Sequence, residues 1–340
     1  MRILYVAKHD SGGGDDEGAI TWALGKLGHT VIKIDEAKGY RAVRHFKGDL
    51  LLFHKWSDYQ AMKHIPIPKV SWYFDLVDWP DPLLARRCSA RKQWMSYMVP
   101  LVDFVFCTDG DWAANDETGK VGWVTQGFDD RLRVANEFSL KERYKRGVPT
   151  AVDLVGEQAG ESAIDLAREQ TLDKFGDGKK TGGIGGEILF TGISSGGGTV
   201  RESFVAEMLA KYGARFSHIP SGIYREVLAK RVRQASIVVA PDSPVSDRYW
   251  SNRVYNVLGL GGFLLHPYCE GLTRHYVDLE HLVYYKDRDH LHYLIEYYED
   301  HPVDRCRIAE AGAARTRSFH TYTHRCQYLL YILAQKGIVS

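Results

Sequence analysis

Short apolar runs recur along this chain at intervals that a helix can fill, and the alternation occurs twice. Ile3, Leu4, Tyr5, Val6 and Ala7 predict a first strand over 3–7, followed by the loop Ser11-Gly12-Gly13-Gly14. Ile20, Ala23, Leu24 and Leu27 then recur at helical spacing, which predicts a helix over 17–27 stopped by Gly28. Further strands are expected over 30–34, 50–54, 70–74, 104–108 and 121–124. Apolar runs of this length, bounded by turns and separated by helix-length segments, indicate βαβ units and a largely parallel sheet. Ligands of such sheets sit beyond the carboxyl ends of the strands.

The pattern breaks over 131–186. Lys141-Glu142-Arg143-Tyr144-Lys145-Arg146 is strongly charged, 162–175 has helical spacing, and 176–186 is rich in glycine and lysine. This is the chemistry of a linker or insertion. The alternation then restarts, with strands over 187–190, 215–218, 237–240 and 263–266. Helices are expected over 201–212, 224–234, 252–260, 291–299 and 303–318, and an amphipathic one over 322–333. Two such patterns imply an α/β protein of two Rossmann-like domains facing a cleft. The expected division is 1–130, a linker over 131–186, a second domain over 187–320, and a helix over 321–340 that packs back on the first domain.

Composition narrows the function. The chain has 340 residues, 44 Lys plus Arg against 43 Asp plus Glu, and a net charge of +1. Any attraction for nucleic acid must therefore come from a local patch. No apolar run reaches ~18 residues, so no membrane-spanning helix is expected, and the start 1–7 reads as a strand rather than a signal peptide. Cys88, Cys107, Cys269, Cys306 and Cys326 are odd in number and widely spaced, which fits thiols in a reducing cytoplasm.

Ser246-Asp247-Arg248-Tyr249-Trp250-Ser251-Asn252-Arg253-Val254-Tyr255-Asn256 is the most informative segment. It follows a strand, opens a helix, and runs into glycines ahead of another strand. A helix start with an arginine one turn inside suits a diphosphate; an Arg253 on a solvated face is the alternative. Tyr249 to Tyr255, with Gly261-Gly262-Phe263-Leu264-Leu265-His266-Pro267, resembles the group 1-like glycosyltransferases of the CgeB-like kind. Glu270-Gly271-Leu272, His281 to Tyr285, His320 to Arg325 and Gly186 to Gly192 extend the resemblance. Trp72 to Asp75 and Gln126 to Asp129 do so more loosely in the first half.

The resemblance implies a GT-B fold and an enzyme that moves a hexose, glucose first, from a UDP-sugar to a hydroxyl without a metal or other cofactor. Under it Arg253 neutralises the leaving diphosphate, while Gly192 and Ser194 let backbone approach it and Arg201 adds a phosphate contact. His218 and Ile219 border the nucleobase. Ser251 and Asn252 open the binding helix, and Asn256 stands where relatives often carry a ribose-binding glutamate. Glu270, Gly271 and Leu272 approach the sugar. An acceptor base is expected on the first domain: Asp75, with His54 and Glu17 as rivals. A retaining enzyme needs no such base. Arg86, Arg87, Arg91 and Lys92, with Arg131, Arg133, Lys141, Arg143, Lys145 and Arg146, suggest a phosphodiester acceptor such as hydroxymethylated phage DNA. A nucleotide-sugar binder without turnover and a UDP-sugar epimerase are the competing functions.

Other signals read as structure. Asp109-Gly110-Asp111 is taken as a turn, Asp15-Asp16-Glu17 as a solvated helix start that complements the dipole, and Tyr293 to Tyr298 as packing. His320 and His324 lack the neighbours of a zinc pair. Gly12-Gly13-Gly14 lacks the Lys-Ser/Thr of a nucleotide-binding P-loop.

Overall fold

The structure, a computed structural model, describes residues 1–9, 16–56, 58, 62–79, 85–132, 186–192, 199–220, 223, 225–241 and 246–340. The glycine triplet 12–14, Ser194, the arginines and lysines over 133–146 and nearly all of the expected linker lie outside them.

Among the described residues the chain builds two parallel sheets. The first contains β1 (Arg2–Ala7), β2 (Thr30–Asp35), β3 (Leu50–Phe53), β4 (Lys69–Tyr73), β5 (Phe104–Cys107) and β6 (Val121–Trp123) in the order β2-β1-β3-β4-β5-β6. Between the strands run α1 (Asp16–Lys26), α2 (Gly39–Val43), α3 (Ala85–Met98) and α4 (Gly110–Ala114). The second sheet contains β7 (Ile188–Thr191), β8 (Phe216–Ile219), β9 (Ile237–Val239), β10 (Leu264–Pro267) and β11 (Val283–Tyr285) in the order β11-β10-β9-β7-β8. Its helices are α5 (Thr199–Tyr212), α6 (Arg225–Gln234), α7 (Arg253–Gly259), α8 (Glu270–Thr273), α9 (Arg288–Glu299) and α10 (Pro302–Phe319). The last, α11 (Tyr322–Gln335), returns to the first sheet.

Both sheets are covered on two sides, which is why their strands read as continuous apolar runs. Ile3, Tyr5, Leu50, Leu52, Val70 and Trp72 face α1 and α11, whose Ile20, Leu24, Tyr322, Leu329 and Leu333 close that layer. Leu4, Val6, Leu51 and Phe53 face the other way, against Met95 and Met98 of α3. In the second sheet Leu189, Val238 and Leu264 pack on Val254, Tyr255 and Leu258 of α7. Ile188, Phe190, Val239 and Leu265 pack on Phe204 and Met208 of α5 and Leu291 and Ile295 of α9.

Among the elements that escape the sequence pattern are α3 and β11. The buried residues of α3 are Cys88, Met95 and Met98, set among charged and polar neighbours, so the helix shows little aliphatic periodicity. β11 has only three residues, too short for a period-2 signal.

Among the described residues the chain crosses between the sheets twice, at adjacent points. Phe128 donates its N–H to His320 O (2.8 Å) and accepts from Tyr322 N–H (2.9 Å), so the outgoing and returning segments pair side by side. The Phe128 ring is fully buried in the core of the second sheet, against Gly259, where a Cβ would overlap it. Among the described residues no helix is long and apolar enough to cross a membrane.

Candidate functional site

Each sheet has one place where the winding direction reverses: between β1 and β3 in the first, and between β7 and β9 in the second. At such switch points the flanking loops part and leave a crevice beyond the strand ends. The carboxyl ends of the two sheets face each other. Ser246 Oγ donates to Asp111 (2.7 Å), Gly110 N–H to Arg248 O (3.0 Å), and Tyr255 Oη to Thr125 Oγ1 (2.9 Å). Both switch points therefore open on one seam.

At the second switch point three of the expected residues come together. Gly192 follows β7 with φ +145°, a conformation natural to glycine, and its N–H still donates to Ile219 O (2.9 Å). A Cβ there would collide with the Arg253 guanidinium. Arg253, the first residue of α7, donates through Nε to Thr191 O (2.6 Å) and through Nη1 toward Ser251 Oγ (3.5 Å). Its guanidinium lies 5.0 Å from the Phe190 ring centroid, and the His218 imidazole stacks on the same ring at 5.0 Å and 9°. His218 Nε2 donates to Gly192 O (2.9 Å). Half-buried Arg201 lies in the first turn of α5, and Asn256 lies on α7 one turn beyond Arg253.

Several expected residues stand in surroundings that the local pattern does not show. The helix holding Arg253 runs Arg253–Gly259, shorter than 252–260, and neither Ser251 nor Asn252 caps it; Asn252 is itself helical, with no side-chain cap bond. So short a helix carries a weak field at its start. Leu272 is fully buried in the core. Gly271 donates to Asp247 O (2.8 Å), and that carbonyl fills the space of a Cβ, so the glycine serves packing of the 246–250 loop. Glu270 is exposed and faces Arg274 at 4.0 Å. Asp75 stands past the end of β4 as expected, but it is bound by Lys55 and by Arg91 (3.4 Å). Both cations meet the same oxygen, Oδ2.

The rivals fare differently. His54 is buried, with Nδ1 on Trp72 O (2.7 Å) and Nε2 on the Tyr5 hydroxyl; burial drives its pKa down to about 4. Both ring nitrogens are used structurally. Glu17, in the first turn of α1 at the β1/β3 switch point, has its pKa raised, first by burial and then by Glu36, with Lys8 and Lys55 opposing.

Asp16 overturns the expectation of a solvated helix start. The residue keeps some surface, but its carboxylate is enclosed where the two domains meet. It accepts from Asn252 Nδ2 (2.9 Å) and Gln126 Nε2 (3.1 Å). The Tyr322 hydroxyl lies near enough to stabilise its charge while falling outside strict hydrogen-bond geometry. Desolvation is the main reason that its pKa rises to about 7, with Glu17 and Asp129 adding repulsion. Its partner Asn252 is 236 residues away, beyond any local pattern.

Two of the discounted motifs are structural, whereas Tyr293 and Tyr297, expected as packing, are exposed. Asp109 caps α4 through Trp112 N–H and accepts from Val77 and Asp78 N–H, as a turn residue does. His324 closes a capping box with Thr321. Among the described residues no three His, Cys, Asp or Glu side chains are grouped to hold a metal.

The two-domain arrangement is the GT-B fold, and residues 201–331 match the model of the glycosyl transferase-like family. Together these support the expected class, a glycosyltransferase. The chain is similar in fold to Anabaena HepE in complex with UDP-glucose, with 10% identity, a TM-score of 0.60, and 98% of this chain and 100% of that one covered. Sucrose-phosphate synthase from Thermosynechococcus elongatus gives 12% identity and a TM-score of 0.65 over 99% of both chains. UDP-GlcNAc 2-epimerase from Neisseria meningitidis gives 11% and 0.50 over 98% and 100%. At these identities the likeness is one of fold. No curated protein matches the chain in sequence.

The buried carboxylate makes stability depend on pH. A carboxyl whose folded pKa is about 7 and whose unfolded value is 3.8 binds more protons when folded between those limits. Its contribution is complete below about pH 4 and is lost as pH rises through 7. Asp16→Asn removes this. Measured by urea unfolding at pH 5 and pH 8, the variant should gain about 1–3 kcal/mol on the wild type across that interval.

Proposed function

We propose that the chain transfers a hexose, glucose in the first instance, from a UDP-sugar to an acceptor hydroxyl in the cytoplasm, without a metal ion, as its resemblance to the CgeB-like glycosyltransferases implies. The observation that carries this reading is the Arg253 guanidinium, anchored on Thr191 O at the second switch point, against Gly192 and beside His218. A planar, forked cation fixed at such a place suits a diphosphate. The UDP-glucose held by HepE on the same fold supports the donor class. The family match over 201–331 favours transfer over the epimerase reading.

In the proposed step the bond between the sugar's anomeric carbon and the diphosphate breaks as the acceptor oxygen bonds to that carbon. Arg253 takes up the charge growing on the departing UDP, a contact stronger in the transition state than in the ground state. Gly192 lets the diphosphate approach, and Arg201 and Ser194 add phosphate contacts. His218 and Ile219 border the base, Ser251, Asn252 and Asn256 the ribose side, and Glu270 a sugar hydroxyl. The acceptor proton goes to Glu17, in a single displacement that inverts the anomeric centre. Its raised pKa suits a base better than the ion-paired Asp75. For the acceptor, exposed Arg86 and Arg87 support a phosphodiester chain, with a hydroxymethylated pyrimidine of DNA as the hydroxyl. Arg91 and Lys92 are held by Asp75 and Asp78.

Incubation with UDP-glucose alone should release UDP slowly, which a binder without turnover would not do. Arg253→Ala should lower kcat/KM by about 30-fold or more, corresponding to ~2 kcal/mol of lost charge-assisted contact; unchanged turnover would remove Arg253 from the site. The rate should rise with pH through a single ionisation above the ordinary glutamate value. Glu17→Gln should abolish that rising limb, and a variant that keeps it identifies another base. With a DNA acceptor the rate should fall steeply between roughly 50 and 200 mM salt; a flat profile points to a small uncharged acceptor.

A further inference from the structure

The hydrogen bond from Asn252 to Asp16 joins the residue just ahead of Arg253 to the opposite domain. We propose that Asp16 is a positioning residue of the donor site: by accepting from Asn252 it fixes the turn 251–253 that aims the Arg253 guanidinium, so that grip on the donor depends on docking of the N-terminal domain. The proposal rests on the donor reading above.

Three observations support it. First, the Asn252 side chain does not hold the start of α7. That helix has seven residues, a short helix gains few internal bonds, and Asn252 makes no cap bond to it. The Asn252 amide is turned across the seam instead, and its Oδ1 is buried without a hydrogen-bond partner. Only the NH2 end has found a partner, so the carboxylate of Asp16 dictates which way the amide faces.

Second, Arg253 is held from both sides. Its guanidinium reaches Thr191 O and Ser251 Oγ, and the residue preceding it is tied to Asp16. Losing the second tether frees the backbone that carries the first. A displacement of about 1 Å at such a group costs large factors in binding or rate.

Third, Asp16 is poorly placed to stabilise the fold. Its carboxylate is enclosed, its bonded partners are neutral amides, and the neighbouring charges, Glu17 and Asp129, repel it. Gln126, the other donor, lies two residues before Phe128 on the outgoing crossing, and Tyr322 opens the returning one. The carboxylate thus joins the outgoing crossing to the donor turn. A group that costs stability in this place fits a role in function.

The test exchanges the two ends of the contact. Asn252→Asp sets two carboxylates face to face. Adding Asp16→Asn restores a donor–acceptor pair with roles reversed. The amide then carried at position 16 gives its N–H to the carboxylate introduced at position 252 and keeps its oxygen for Gln126, which uses the other carboxylate oxygen in the wild type. UDP-glucose is titrated calorimetrically into the wild type, N252D and D16N/N252D, with thermal melts of each. The expected result is an affinity loss of about tenfold or more in N252D, with recovery to within about threefold of the wild type in the double variant. Unaltered affinity in N252D, or no recovery in the exchange, overturns the proposal. If N252D does not fold, N252A and D16A, which add no charge, decide it. As two ends of one contact their losses must not add in the double variant, and full additivity overturns the proposal. A wild type that binds no UDP-glucose overturns the donor reading and this proposal with it, whereas a wild type that binds and an exchange that fails overturn the proposal alone.

Discussion

The proposed donor site depends on one guanidinium held at the end of one strand. Arg253 is fixed to the Thr191 carbonyl, Gly192 leaves it room, and the Phe190 ring carries both it and His218. The arrangement exists because β7 borders the reversal of the second sheet, where no crossover covers the strand end. A guanidinium anchored by its Nε on a backbone carbonyl presents its fork in a fixed direction. It therefore costs less reorganisation on meeting an anion than a long, unanchored side chain would.

The first domain reaches this site through a small number of polar contacts. Gly110 and Asp111 hold the 246–248 loop, Thr125 reaches Tyr255, and Asp16 reaches Asn252. The large apolar anchor is Phe128, at the paired crossings. Trp123 of β6 adds aromatic packing against Trp250 and His275, so the seam combines polar bonds with apolar contact. In the proposed reaction donor and acceptor groups stand on either side of it, so that closing the cleft would assemble the reacting geometry.

Much of this is legible in the sequence because parallel strands buried on both faces leave an unambiguous trace. The runs at 3–7, 50–53 and 237–239 need no knowledge of their partners. Arg253 is marked by local pattern as a helix start, while Gly192 and His218 enter through the family resemblance and do lie at strand ends. What cannot be read are contacts set by the closing of two domains on each other. The pairing of Asp75 with Lys55 and Arg91, the packing of Gly271 on Asp247 and the burial of Asp16 against Asn252 all depend on which loops meet. Asp16 misleads for a definite reason: an acidic residue at a helix start has a sufficient local explanation in the helix dipole, and the distant partner leaves no signal beside it.

The most direct test of the donor site is a crystal structure of the chain with UDP-glucose. The diphosphate should lie within hydrogen-bond distance of the Arg253 guanidinium, beyond the end of β7, with the uracil on the His218 side. A nucleotide bound elsewhere, with the Arg253 guanidinium out of its reach and still on Thr191 and Ser251, would contradict this arrangement.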